Sequence, residues 1–171
     1  MSKRDLKKYL LTLSKEQLEV QIVELYDKFL DVKTFYNFAF NPNENNLLKN
    51  AKLKVSNEYF PVRGKRPKMR RSVAQKFIKH FITLGVDAFL IADLMLYNIE
   101  IAQALSAEKV INNDAFYKSM LLSFNQTISF LIAKSIFYEF QNRIVAINSK
   151  AQNQNWINCS EFNAIIEKFH Y

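Results

Sequence analysis

The sequence predicts an all-α fold, a single domain of consecutive helical hairpins over 1–171 with an exposed basic loop at 61–71. Three observations predict it. Gly occurs twice and Pro three times in 171 residues, too little punctuation for the turns of a many-stranded sheet. Apolar residues recur at steps of three and four along most of the chain, the period of a helix. A Ser with Asp or Gln three residues on stands ahead of several of these runs, the spacing of a capping box. Hydrophobic residues make up 49% and aromatics 14%, enough to bury a core at ordinary domain size. Charged residues, at 23%, suggest neither a disordered chain nor a coiled-coil rod.

Ser2 with Asp5, and Ser14 with Gln17, open a short helix from Lys3 to about Leu11 and a longer one from Lys15 to about Leu30. In the second, Leu18, Ile22, Leu25 and Phe29 form a stripe expected to face a core. Val32 to Phe40 is dense in aromatics, and Asn41 before Pro42 closes it, because helix is disfavoured before proline. Asn43 to about Tyr59 carries a further helical pattern. Pro61, Gly64 and Pro67 then break the chain. Ser72 with Gln75 reads as another capping box, opening a helix from Val73 to Leu84 that Gly85 ends in the left-handed conformation. Asp87 caps a helix from Ala88 to about Leu105, apolar nearly all round and hence the core helix. Asp114 caps the apolar segment Ala115 to Ile147, long enough for two helices with a bend near Lys134 and Ser135. Asn148 to Asn155 reads as a polar loop, and Ser160 caps a last helix through Phe162, Ile165, Ile166 and Phe169. Stacked hairpins are compatible with a HEAT-like superhelix, although no internal period is found.

Cys159 is the one cysteine, so no internal disulfide forms and no cysteine-based zinc site assembles. It is expected as a small buried hydrophobe, and a reducing, cytoplasmic setting fits. The apolar run near the N-terminus is too short for a signal-peptide core. The charge-free stretch Ser119 to Ala133 is shorter than a membrane span, and no transmembrane segment is expected. No GxSxG, GxGxxG or P-loop motif occurs, and no cofactor or metal is expected.

Charge is concentrated in one place. Between Val62 and His80 lie Arg63, Lys65, Arg66, Lys68, Arg70, Arg71, Lys76 and Lys79 with no acid, so this stretch alone equals the chain's formal net charge of +8. The loop cations are spaced along an extended backbone. Lys76, Lys79, His80 and Thr83 share one helix face. Cations so arranged suit phosphates, and arginine donates two hydrogen bonds to one anion. A solvated loop paired with the protein's own acids is the plainer alternative.

A second constellation is acidic. Asp93 and Glu100, seven apart, share a face of the apolar core helix, with His80 on the preceding helix. A catalytic reading makes these a general acid and base; a structural reading, preferred here, pairs the carboxylates with Lys76, Lys79, Arg70 or Arg71.

The opening SKRDLKKYLLTLSKEQLEVQIVELY, the FYNFAFNP segment, RRSVAQKFIKHFITLGVD and ADLMLYNIEIAQ, in this order, resemble an uncharacterised bacterial family known as a domain of unknown function. The resemblance covers essentially the whole chain. It implies a small helical protein and carries over no activity or functional residue.

The expected function is non-enzymatic binding of an anionic macromolecule, RNA or a ribonucleoprotein ahead of DNA, through the basic loop and adjoining helix face. Next comes a protein-interaction scaffold using a helical or aromatic surface, or an acidic protein face as partner. An enzyme using His80, Asp93 and Glu100 ranks third.

Overall fold

The computed structural model describes residues 1–62 and 66–168. Among these are nine α-helices, one short 3-10 helix and no strand. The contacts gather the chain into two compact units, Met1–Asn43 and Glu44–Tyr171; along the sequence the boundary follows Asn41-Pro42, where a helix stops.

The first unit holds α1 (Lys3–Leu10), α2 (Lys15–Lys28) and α3 (Leu30–Phe40). Both expected capping boxes are present. The Asp5 and Gln17 backbone N–H groups donate to Ser2 Oγ and Ser14 Oγ at 3.2 and 3.3 Å. The Asp5 and Gln17 side chains accept the serine N–H groups at 3.0 and 2.9 Å in return. Phe29 is extended and ends α2 at Lys28, two residues earlier than expected, capping α3 at once. The Tyr26 hydroxyl donates to Asn37 Oδ1 at 3.0 Å, and Lys33 Nζ lies 5.4 Å from the Tyr26 ring centre. The stripe expected to enter a core does not: Ile22, Leu25 and Phe29 are 44%, 46% and 53% exposed, and no residue of these helices is buried. Three short helices leave each apolar face with too little neighbouring surface to cover it.

The second unit holds α4 (Glu44–Tyr59), α5 (Arg71–Leu84), α6 (Ala88–Glu108), α7 (Asp114–Ala133), a 3-10 helix (Tyr138–Phe140), α8 (Gln141–Asn153) and α9 (Cys159–Glu167). As its sequence predicts, α6 is the core helix. It packs against α4, α5, α7 and α8, with Leu94, Leu96, Ile99 and Ala102 fully buried. By length and composition α6 could cross a membrane; over half of its most apolar stretch is buried among the other helices.

Three helix ends use one device. Gly85, Ser135 and Asn155 all have positive φ, at 76°, 57° and 52°. After each, the next backbone N–H reaches back five residues: Val86 to Phe81, Ile136 to Leu131, Trp156 to Ala151, at 2.9 to 3.1 Å. These are Schellman motifs, and all six residues so joined are buried apolar side chains. Gly85 was readable as such a stop. Ser135 sharpens the expected bend into a break, and Asn155 moves a boundary, because the expected loop at Asn148 to Asn155 is mostly the last turns of α8.

Three caps also differ. No side chain caps α5, which begins at Arg71 and places Ser72 inside its first turn. Asn113, not Asp114, caps α7, its Oδ1 accepting the Ala115 N–H at 3.0 Å. The last helix begins at Cys159, so Ser160 is already within it. Cys159 is half-buried rather than buried, and Phe169 lies outside the described residues. The Asp87 cap of α6 is as expected, accepting the Phe89 N–H at 2.8 Å.

Candidate nucleic-acid interface

The basic segment is fastened to the end of α4. Glu58, the one acid between residues 45 and 86, does the fastening twice. Its carbonyl accepts the backbone N–H groups of Lys68 and Met69 at 3.0 and 2.9 Å. Its carboxylate accepts Arg70 Nε and Nη2, both at 2.8 Å, a bidentate pair. The Arg70 guanidinium holds the Glu58 carboxyl below the usual carboxylate range. Met69, at φ 52°, takes the left-handed turn between the two fastenings.

Arg71 turns inward instead. Its Nε donates to Ser123 Oγ at 2.7 Å and its Nη2 to Gln126 Oε1, tying the start of α5 to α7. Desolvation pushes its pKa down from the arginine range. Beside it Tyr59 is buried, which pushes its phenol up, and its hydroxyl faces Asn98 Oδ1 at 3.4 Å.

Of the eight candidate cations, Arg70 and Arg71 thus serve the fold. Arg66, Lys68, Lys76 and Lys79 are exposed, and among the described residues none of the four forms an ion pair. Arg63 and Lys65 lie outside the described residues. Arg66 and Lys68 line a cleft of about 270 Å³ with Arg70, Asn57 and Glu58. Lys76 and Lys79 stand on the exposed side of α5, whose opposite side buries Ala74, Ile78 and Phe81.

The acidic constellation assembles differently from expectation. Asp93 accepts Lys52 Nζ at 2.6 Å and Arg143 Nη1 at 2.8 Å. Glu100 accepts Arg143 Nε and Nη2, both at 2.8 Å. The partners therefore come from α4 and α8, and not from Arg70, Arg71, Lys76 or Lys79. A seven-residue spacing establishes that two carboxylates share a face; which helix covers that face depends on packing. Arg143 is held charged chiefly by Glu100 and, more weakly, by Asp93, and Lys52 Nζ also lies 5.1 Å from the Tyr97 ring centre. His80 is exposed on α5 and bonds to neither carboxylate. The three residues do not form the buried polar cluster expected of them.

Among the described residues no three His, Cys, Asp or Glu side chains gather in a way that could hold a metal ion. Sequence reasoning missed Glu58, Lys52 and Arg143. Two left a signal: Glu58 is alone among cations, and Arg143 is the one base between Lys134 and Lys150.

No curated protein and no solved structure matches this chain. Residues 1–170 match the family of unknown function DUF6155, and the chain belongs to that family.

Proposed function

We propose that this protein binds RNA without catalysing a reaction, through Arg66, Lys68, Lys76 and Lys79. One observation carries the reading: these four cations are exposed and form no ion pair among the described residues, and Glu58, the acid whose charge Lys68 feels, already holds a bidentate pair with Arg70. Exposed cations outside ion pairs are available to phosphates, whose neutralisation releases counterions. RNA ranks ahead of duplex DNA because the basic face combines a loop with one helix side, and flexible single strands follow such an irregular surface more readily than a rigid groove does.

The test is binding of a labelled single-stranded RNA across a salt series. Four phosphate contacts give a slope of log affinity against log salt of about −3. The variant with Arg66, Lys68, Lys76 and Lys79 all changed to Gln loses at least about tenfold in affinity and most of that slope. Unchanged affinity would end the reading, and equal affinity for duplex DNA would remove the preference for RNA.

A further inference from the structure

The fastening of the basic segment to Glu58 leaves an opening beside it, and that opening has a definite chemistry. The chain leaves α4 through Pro61 and Val62 and comes back at Lys68 and Met69, whose backbone N–H groups the Glu58 carbonyl holds. The cleft of about 270 Å³ is lined by residues of both stretches and by Asn57, from the last turn of α4.

Three kinds of group line it. Pro61 and Val62 are apolar, and the proline ring fixes its own φ, which keeps that wall in place. Arg66, Lys68 and Arg70 are cations, and the carboxylate of Glu58 already holds Arg70 in a bidentate pair, which leaves Arg66 and Lys68 to an incoming anion. Asn57 is half-buried and brings a neutral amide, two N–H donors and one carbonyl acceptor, that forms no hydrogen bond among the described residues. A lone phosphate would use the cations and leave the amide and the apolar wall without a partner. A nucleotide matches all three: a phosphate for the cations, a flat face for Pro61 and Val62, and an edge of adjacent donors and acceptors for the amide.

We propose that the cleft seats one unpaired nucleotide of a bound RNA, its base against Pro61 and Val62, its edge hydrogen-bonded to Asn57, and its phosphate at Arg66 and Lys68. This rests on the RNA reading above and deepens it. Lys76 and Lys79 supply charge alone, whereas the cleft distinguishes a base from bare backbone. It also distinguishes a single strand from a duplex, whose base edges are already paired.

The test compares a single-stranded RNA oligomer with an abasic ribose-phosphate oligomer of the same length and charge, each titrated into the full chain across a salt series. The parent binds the base-bearing oligomer about fivefold more tightly. Asn57→Ala, on a helix that alanine favours, lowers that ratio at least about threefold and leaves the salt slope and the urea midpoint unchanged. Lys76→Gln with Lys79→Gln weakens both oligomers alike and keeps the ratio. If RNA binds and the ratio is one, or is the same in Asn57→Ala, the nucleotide seat is overturned and the RNA reading stands. If neither oligomer binds, both are overturned. A nucleoside monophosphate that binds as tightly as the oligomer would make the cleft a site for free nucleotides and overturn its place in RNA binding.

Discussion

Arg143→Gln is the change that most directly tests how the second unit is held together. Arg143 of α8 makes three charge-assisted hydrogen bonds to Asp93 and Glu100 of α6. The side chains of Arg143, Asp93 and Glu100 keep 33%, 23% and 29% of their surface exposed. A fully exposed pair contributes about 0.2 to 1 kcal/mol, and breaking a fully buried one costs about 3 to 5 kcal/mol. These side chains lie between the limits, and removing the arginine leaves two carboxylates with Lys52 as their remaining cation. The expected loss is about 2 to 3 kcal/mol, read in urea as a lower midpoint at unchanged slope. A double-mutant cycle with Glu100→Gln should give a coupling of at least about 1 kcal/mol. Lys76→Gln and Lys79→Gln, on the α5 face that the sequence suggests as a partner for these acids, should stay within about 0.5 kcal/mol of the parent. Were Arg143→Gln to fall within that same margin, the clamp would be an incidental surface contact and the reasoning would fail.

Three further outcomes follow from the same structure. Ser135→Gly relieves a left-handed backbone that costs a non-glycine residue about 1 to 2 kcal/mol, and thermal unfolding should move upward; a fall would mean the serine contributes something its φ does not show. Arg71→Gln removes the tie to Ser123 and Gln126 and should cost about 1 to 2 kcal/mol, whereas Arg66→Gln should alter RNA affinity and leave denaturation unchanged. Glu58 has a folded pKa below its unfolded value, so its contribution is complete above the unfolded pKa and is lost as pH falls through the folded one. Acid titration of stability should therefore be shallower in Glu58→Gln, and identical acid limbs would show that the Arg70 pair does not stabilise the fold.

Much of this architecture was legible along the chain, because the signals were local. Capping boxes at Ser2 and Ser14 and the stops at Pro42 and Gly85 each act within a few residues, and α6 announced itself by being apolar on every side. Ser135 and Asn155 were harder. At both, the left-handed penalty of about 1 to 2 kcal/mol is offset by the backbone bonds from Ile136 to Leu131 and from Trp156 to Ala151 and by the burial of Ile136 and Trp156, which no local residue type signals. Trp156 shows the same dependence: its Nε1 donates to Ser106 Oγ at 3.1 Å, fifty residues away.

By itself, then, the sequence determined the helical class, the helix starts capped by Ser2, Ser14 and Asp87, and the concentration of positive charge between Val62 and His80. Tertiary structure decided how that charge divides. Arg70 and Arg71 are drawn into the fold by Glu58, Ser123 and Gln126, while Arg66, Lys68, Lys76 and Lys79 stay outside. It also decided that Asp93 and Glu100 answer to Lys52 and Arg143, and that the apolar stripe of α2 finds no core within its own unit. The physical reason is common to all three. Hydrogen-bonding capacity, charge and apolar area belong to single residues and short periods. The partner that satisfies each is set by which helices come to lie side by side, a property of the whole packed chain.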